Sequence, residues 1–344
     1  MRKVCLMVVS WALLVGCNPE FSSRFSDVDV VRVLGVQSSP AEGAPNTKIA
    51  YQILVATPTG TLLSPNVDWS YCNQPKPVSE GDDIAQACLG TGSAVMAIGR
   101  GAQVTGTIPQ HACQQFGPDL PLGEPHARPT DADSTGGYYQ PVIIQLDADS
   151  QAIPALAETR ITCGLANSSI QQTQDYANRS HPNENPQLSD VVVLSRDNVS
   201  LTAEGSDSPL AVGSGEVVTL RASWPSCPDT PMCGDGICSP LETVQNCPAD
   251  CTMPQGCRGP EPYAYLDPLQ QAIVDRHEAM RVSWFASAGD FTDDHTGRLE
   301  SEYMTTTSDD TWTAPTTLGP AFLWVVLRDD RGGVDWKSFQ VQVQ

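Results

Sequence analysis

Positive charge is scarce in this sequence. The chain of 344 residues carries 19 Lys plus Arg against 40 Asp plus Glu, and its formal net charge at pH 7 is −21. A surface with such an excess of carboxylates repels the phosphate backbone of nucleic acids. Nucleic-acid binding is therefore excluded as a main function of the protein.

Long apolar runs and familiar catalytic motifs are also absent from the sequence. Beyond residue 17, no run reaches the ~18 apolar residues of a membrane-spanning helix. There is no HExxH zinc motif, no Gly-x-Ser-x-Gly elbow, no P-loop and no GxGxxG fingerprint. The sequence therefore predicts no catalytic residues, and we expect a protein that is not an enzyme.

The histidines and two acidic clusters are weak candidates for metal binding. Asp131 and Asp133 begin like a calcium loop but lack the closing ligands of an EF-hand. Asp293 and Asp294 lie beside a histidine, but Asp, Ser and Gly also cluster in turns for backbone reasons. All the histidines lie in Pro-, Asp- or Gly-rich or charged segments, which predicts solvated loops: His111, His126, His181, His277 and His295.

The amino terminus has the features of a secretory signal. Arg2 and Lys3 precede a short apolar stretch from Val4 to Val15, which is too short to span a bilayer comfortably. The stretch ends in Leu14-Val15-Gly16-Cys17, which resembles the lipobox of bacterial lipoproteins. The alternatives are an ordinary signal peptide with a chance cysteine and an uncleaved anchor.

The lipobox resemblance implies the location and the membrane partner. It implies that residues 1–16 are removed after Gly16 and that Cys17 takes the lipid, with residues 17–27 as lipidated cysteine and tether. Several acyl chains on one cysteine hold a protein at a membrane without a transmembrane helix. Because Asn18, and not Asp, follows the cysteine, the outer membrane is favoured, at the cell surface or its periplasmic face.

The mature chain shows short β-rich runs separated by Gly, Pro, Asn and Asp. At the carboxyl end, residues 322–327 form a continuous apolar run, and residues 339–344 alternate apolar side chains with glutamines. Trp69 and Trp284 each lie in a run near the middle of one half, which suits the core of an immunoglobulin-like sandwich. The pattern predicts an all-β fold of two immunoglobulin-like antiparallel β-sandwich domains.

The two domains are expected over residues 28–196, with long loops, and residues 197–344. Helix is scarce: a short polar helix is predicted over residues 168–178, with Ser168 or Ser169 as its cap. Residues 268–280 are ambiguous between helix and strand.

Cysteines are numerous, and their usage indicates an oxidising compartment. Without Cys5 and Cys17, an even number remains in each half, which predicts disulfides that close within each domain. Cys72 with Cys88 is the favoured pair, because that bridge closes the loop after a strand; the other pairings stay open. The candidates are Cys72, Cys88, Cys113, Cys163, Cys227, Cys233, Cys238, Cys247, Cys251 and Cys257.

A cysteine-rich insert over residues 227–257 interrupts the second domain. Its segment CGDGICSPLETVQNCPADC (233–251) has the small loops that disulfides stabilise in place of a core. We expect a disulfide knot without a cofactor. The alternative is a knot that binds calcium through Asp235, Glu242 and Asp250. Zinc is disfavoured, because there is no CxxC pair and no nearby histidine.

Several segments together resemble a known group of proteins. The segments are GGYYQPVIIQLD (136–147), RITCGLANSSIQQ (160–172), VSWFASAGDF (282–291) and TWTAPTTLGPAFLWVVLRDDRGGVDW (311–336), with the CGDGxC repeat. They resemble predicted surface lipoproteins of myxobacteria and related δ-proteobacteria. The resemblance implies a lipid-anchored, immunoglobulin-like protein and says little about its activity.

These features favour a non-enzymatic, lipid-anchored protein of the outer envelope that is structural or binds a protein or glycan. One alternative is a carbohydrate-binding or adhesion module, whose aromatic platform would come from Trp312, Tyr303, Tyr138 and Tyr139. The other is a β-sandwich hydrolase, which would need a deep pocket with convergent carboxylates or a Ser/His pair.

Overall fold

The computed structural model describes most of the chain after residue 23. It describes residues 24–76, 84–90, 92–118, 137–148, 151–166, 168–227, 233–234, 242, 247–250, 256–267 and 269–344. The predictions for the signal peptide, Gly16, Cys17, Asp131, Asp133, His126, Asp235, Cys238 and Cys251 lie outside these residues.

Nine strands and a short helix build the first sandwich. In chain order they are β1 (Arg32–Ser39), β2 (Glu42–Gly43), β3 (Lys48–Thr57), β4 (Gly60–Thr61), β5 (Asn66–Cys72), β6 (Val95–Arg100), β7 (Gln103–Thr107), α1 (Ala112–Gln115), β8 (Tyr139–Ala148) and β9 (Gln151–Ile161). One sheet has the order β1-β3-β4, with β7 also paired to β3, and the other has the order β2-β9-β8-β5-β6. Trp69 is fully buried between them, as predicted.

Twelve strands follow, and ten of them form the second sandwich. They are β10 (Asp190–Val193), β11 (Val199–Ser200), β12 (Leu210–Val212), β13 (Val217–Ser223), β14 (Pro262–Asp267), β15 (Ala272–His277), β16 (Met280–Ala286), β17 (Asp290–Phe291), β18 (His295–Arg298), β19 (Thr307–Thr313), β20 (Gly319–Asp329) and β21 (Val334–Val343). The sheets have the orders β11-β10-β13-β19-β17 and β12-β21-β20-β16-β18, while β14 and β15 form a separate hairpin. Trp284 is fully buried in this core.

The all-β class and the two sandwiches, with a disulfide-rich insert in the second, are confirmed. Two short strand pairs depart from the antiparallel pattern: β2 runs parallel to β9, and β12 runs parallel to β21. Strand β10 pairs with β13, so residues 190–193 lie in the second sandwich, before the predicted boundary at residue 196.

Both faces of β20 are buried, which explains its continuous apolar run. Leu323, Val325 and Leu327 point into the core of the second sandwich. Trp324 and Val326 point the other way, toward the first sandwich. An alternating pattern needs one solvated face, and β20 has none over this stretch. Strand β21 alternates as predicted, with Phe339, Val341 and Val343 buried.

A short polar helix, α2 (Ile170–Arg179), connects the two sandwiches. Ser169 caps it: its Oγ accepts from the backbone N–H of Gln172, and the Gln172 side chain accepts from the backbone N–H of Ser169. The predicted helix and one of its two predicted caps are confirmed. The ambiguous residues 268–280 contain strand β15 and the start of β16. Within the described residues, no helix has the length and apolarity to cross a bilayer.

Four disulfides are present among the described cysteines. Cys72 bonds to Cys88, the pair favoured from the sequence, and Cys113 bonds to Cys163. Cys227 bonds to Cys257, which closes the base of the insert, and Cys233 bonds to Cys247 inside it. Each bridge lies within one predicted domain, and bridges of this kind contribute about 2–4 kcal/mol each.

Residues 24–28 bind along the second sandwich, although residues up to 27 were predicted as a tether. The backbone N–H of Val28 donates to the carbonyl of Ala286, and the N–H of Ala286 donates to the carbonyl of Ser26, both at 2.9 Å. The ring of Phe25 contacts the rings of Phe285 and His295. The polar composition that predicted a tether does not reveal these backbone pairings.

Candidate functional site

An apolar cluster joins the two sandwiches. The amino-terminal segment and first sandwich contribute Val28, Leu34, Leu54 and Ala56, and the second sandwich contributes Phe285, Trp324, Val326 and Val334. Trp324 is fully buried, and its Nε1 donates to Oγ1 of Thr61 across the contact at 2.8 Å. Side chains that pack across a contact in this way resist relative motion of the sandwiches.

A buried arginine lies beside this cluster, in the turn between β20 and β21. Arg331 is 3% exposed. Its Nη1 donates to Glu261 Oε1 at 2.9 Å and to Glu278 Oε1 at 3.4 Å. Its Nη2 donates to Glu42 Oε2 at 3.3 Å and to the carbonyl of His181 at 3.1 Å. One guanidinium therefore binds the first sandwich, the connecting segment and two carboxylates of the second half.

The carboxylate of Glu42 has its own set of partners. Arg160 Nε donates to Glu42 Oε2 at 3.0 Å, the backbone N–H of Asn183 donates to the same oxygen at 2.9 Å, and Thr162 Oγ1 donates to Oε1 at 3.0 Å. Burial disfavours the ionised form, but the guanidiniums of Arg160 and Arg331 together with these hydrogen bonds lower the pKa of Glu42. Glu42 is therefore ionised at neutral pH.

Asp329 holds the turn that carries Arg331. Its Oδ1 accepts from the backbone N–H of Arg331 at 2.9 Å and of Gly333 at 2.7 Å, and Asn183 Nδ2 lies 3.3 Å away. A Cβ on Gly333 would lie 2.0 Å from Asp329 Oδ2, and Gly332 has φ of +100°. Both glycines are therefore needed for this turn, which points Arg331 inward.

Carboxylates outnumber guanidiniums in this buried group, which we call the Arg331 cluster. It contains Glu42, Glu261, Glu278, Asp329, Arg160 and Arg331. Burial raises the pKa of Glu261 to about 8 even though Arg331 opposes the shift. Burial and the facing carboxylates raise the pKa of Glu278 well above its usual range. With a pKa of about 8, Glu261 holds its proton at neutral pH, and the raised pKa of Glu278 favours its protonated form as well, so both shifts reduce the buried negative charge of the cluster.

We expect the protein to become more stable as the pH falls from 8.5 to 6.5. Some carboxyl groups have a higher pKa in the folded protein than in the unfolded chain. Such a group stabilises the fold fully at pH values below its unfolded pKa. This contribution is lost as the pH rises through the folded pKa. For Glu261, with a folded pKa of about 8, the gain over this interval is roughly 2 kcal/mol. Burial lowers the pKa of His181, so its contribution opposes the trend as the pH falls through and below about 6.5.

Calorimetry at constant ionic strength measures this dependence as a rise in the melting temperature. The Glu261→Gln variant should show a flatter profile because it cannot ionise. A wild-type melting temperature that is constant or falls between pH 8.5 and 6.5 would contradict the assignment.

The residues proposed for calcium in the insert are only partly described. Glu242 is buried, and Asp250 Oδ2 accepts from the backbone N–H of Gly234. Among the described residues, the one group of His, Cys, Asp and Glu atoms at metal-binding distances is Cys233, Cys247 and Asp250. The two sulfurs of that group are bonded to each other, so they offer no thiolate to an ion.

The aromatic residues considered for a glycan platform are dispersed. Trp312 is fully buried in the second core, and Tyr138 is buried in the first. Tyr139 is partly buried, with its ring 5.7 Å from the guanidinium carbon of Arg160. Tyr303 is also partly buried and stacks on His277 at 3.7 Å. These four side chains therefore do not form a coplanar exposed surface.

The prediction of solvated loop histidines is wrong in one respect for each of three residues: His181 lies in a loop but is buried, while His277 and the exposed His295 lie in strands. His181 is 8% exposed, with Nε2 at 2.9 Å from the carbonyl of Pro262. His277 ends β15, and His295 begins β18 with Nδ1 at 3.0 Å from Ser283 Oγ. Their positions depend on strand pairing and domain contact, which flanking composition does not encode.

The two aspartates beside His295 make different contacts: Asp294 binds through its side chain and Asp293 through its backbone N–H. Asp294 Oδ1 accepts from the N–H of Ser26 at 3.2 Å. The N–H of Asp293 donates to Asp310. The imidazole of His295, the carboxylate of Asp294 and the backbone N–H of Asp293 therefore each have a different partner.

The flanking sequence does not distinguish the residues of the Arg331 cluster from surface charges. Glu42, Arg160, Glu261 and Glu278 look like ordinary surface charges, and Arg331 lies in a polar turn. The one available signal was the pair of glycines after Arg331, which permits a tight inward turn.

Comparison of the chain with known proteins finds only distant similarity to solved structures. No protein-family model and no curated protein matches this sequence. Fibronectin(III)-like modules of Clostridium thermocellum CbhA are similar at 11% identity and a TM-score of 0.20, over 92% of this chain and 94% of that chain.

Two enzymes are similar over a small part of their own length. Red sea bream transglutaminase gives 12% identity and a TM-score of 0.22, over 92% of this chain and 32% of that chain. A β-glycosidase from Bacteroides vulgatus gives 8% identity and a TM-score of 0.20, over 92% and 25%. The chain thus spans about a third and a quarter of these enzymes, and such low TM-scores say nothing about activity or ligands.

Proposed function

We propose that the protein is a non-enzymatic, lipid-anchored component of the outer envelope that acts as a structural or binding module for a protein or glycan. The observation that carries the proposal is the joint, by which we mean the apolar cluster together with the Arg331 cluster. It holds two disulfide-braced sandwiches as one body, which presents its loops at fixed relative positions.

The buried charges of the joint support a structural role for it. Glu261 and Glu278 are 0% and 1% exposed, so neither faces a solvent-filled pocket where substrate could bind. Their hydrogen bonds go to Arg331 and to backbone N–H groups of Glu184, Cys257 and Glu261. These convergent carboxylates bind groups inside the protein and are not accessible to a substrate, which disfavours the hydrolase alternative.

The carbohydrate-binding alternative would be favoured by a coplanar, exposed set of aromatic side chains, and its candidate residues do not form one. Its four aromatic candidates are dispersed, and Trp312 and Tyr138 are core residues. We therefore keep glycans as one class of partner without assigning a platform. No cofactor is part of the proposal, and calcium at Asp235, Glu242 and Asp250 is retained only as an alternative.

We expect Cys17→Ser to abolish acylation and release the protein from the membrane fraction, because the thiol is the proposed acceptor of the lipid. Fractionation and mass spectrometry of the amino-terminal peptide measure this. Cys5→Ser is the matched control, since that thiol lies in the predicted signal peptide and should have no effect. Equal membrane retention of both variants would contradict the anchor.

Protease treatment of intact cells then distinguishes the two faces of the outer membrane. Release of fragments from residues 28–344 by external protease indicates the cell surface and a role in adhesion or neighbour contact. Protection until the outer membrane is opened indicates the periplasm and a role in envelope assembly.

A further inference from the structure

Three arginines surround one cavity of the second sandwich, on a chain that is otherwise strongly acidic. The cavity has a volume of about 590 Å³, and its lining includes Arg281, Arg298, Arg328 and His295. We call it the arginine pocket. These are three of only 19 basic residues in a chain with 40 acidic ones, so their convergence contrasts with the charge of the whole protein.

Strand pairing places two of the guanidiniums on the same face. Arg281 of β16 lies directly opposite Arg328 of β20. Like charges directly opposite each other on a sheet are destabilising. Such a pair costs stability, and an anion between the two side chains would offset that cost.

The arginines have neutral partners within the described structure. Arg328 Nη1 donates to Ser283 Oγ at 3.2 Å, and Nη2 donates to the carbonyl of Leu34 at 2.5 Å. Arg298 Nη1 donates to the carbonyl of Gly297 at 3.3 Å, while its buried Nε has no hydrogen-bond partner. Burial and the facing Arg281 lower the pKa of Arg328 to about 10. A bound anion would offer acceptors to the guanidiniums and would offset the repulsion between Arg281 and Arg328.

Two carboxylates lie near the pocket and are directed elsewhere. Asp329 accepts from the backbone N–H groups of Arg331 and Gly333. Asp330 lines the cavity, and its carboxylate accepts from the backbone N–H of Ala279. Asp329 also lines the cavity, and among the described residues neither aspartate forms an ion pair with Arg281, Arg298 or Arg328.

We propose that the arginine pocket binds an oxyanion group of a ligand, held by the guanidiniums of Arg281 and Arg328. Guanidinium groups bind carboxylate, phosphate and sulfate oxygens through paired hydrogen bonds. This ligand deepens the proposed binding function and rests on it, while the pocket itself does not depend on the lipid anchor or on the location of the protein. It supplies the chemical class of ligand that the binding function lacks.

Titration calorimetry on the purified full chain tests the proposal, with sodium phosphate, sodium sulfate and sodium glucuronate as probes at pH 7 and constant ionic strength. We expect saturable binding of at least one probe to one site, and the strongest probe identifies a phosphoryl, sulfuryl or carboxylate ligand. Sodium chloride is the reference. Binding of no probe above the chloride reference would overturn the proposal.

Charge-neutralising variants separate the pocket from general salt effects. Arg281→Gln removes an exposed guanidinium that has no carboxylate partner in the described structure, so the fold should be retained and affinity should fall by about tenfold or more. Arg221→Gln is the matched control, because Arg221 pairs with Asp309 on the other sheet. Unchanged affinity in Arg281→Gln, or an equal loss in Arg221→Gln, would show that the pocket does not bind the probe.

Discussion

Replacing Arg331 by methionine is expected to lower the free energy of unfolding by about 3–5 kcal/mol. The variant removes one partner of a buried ionic group and leaves the carboxylate of Glu42 with a single guanidinium. Removing one member of such a group is strongly destabilising because the remaining charge stays buried without compensation. Urea denaturation followed by tryptophan fluorescence measures the change.

A second substitution tests whether charge, and not side-chain volume, causes the loss. Arg331→Lys keeps a positive charge in the cluster, so it should lose less stability than Arg331→Met, which removes that charge. Arg221→Met is the control for loss of an exposed ion pair, which is worth only about 0–1 kcal/mol. If Arg331→Met costs no more than Arg221→Met, the Arg331 cluster does not stabilise the protein.

Replacing Trp324 by alanine is expected to cost about 3–5 kcal/mol and to separate the unfolding of the two sandwiches. Large-to-small changes of buried aromatics cost this much through lost burial and the cavity left behind. Trp324 lies between the sandwiches and binds Thr61 across the joint. Its loss therefore weakens the contact that makes the sandwiches unfold together, and differential scanning calorimetry should show two resolved transitions.

Trp69→Ala provides the matched comparison. Trp69 is buried equally well but lies within the first sandwich, beside Tyr51. Its replacement should cost a similar free energy without weakening the joint. If Trp324→Ala still unfolds in one transition, the joint depends on the Arg331 cluster more than on the apolar contact.

Local pattern was sufficient for the sandwiches themselves. The alternation of residues 339–343, the buried Trp69 and Trp284 and the cap at Ser169 all depend on neighbours in sequence or on strand period. The Cys72–Cys88 bridge closes a short loop and was therefore predictable from its position after a strand. These features need no knowledge of how the two halves of the chain meet.

The joint could not be predicted because its partners are far apart in sequence. Arg331 meets Glu42 across 289 positions and His181 across 150. A polar turn that points inward has the same composition as one that points to solvent. The double-sided burial of β20 was visible as a continuous apolar run, but that run did not reveal what would cover its second face.

If Cys17 is acylated as proposed, the pairing of residues 26–28 with β16 determines which part of the protein lies closest to the membrane. On the proposal that Cys17 carries the acyl chains, about seven residue steps separate it from Arg24, and an extended chain of that length reaches about 25 Å at most. That reach is roughly the width of a small domain. On this proposal, the carboxyl-terminal sandwich, although last in sequence, is the one tethered next to the lipid surface.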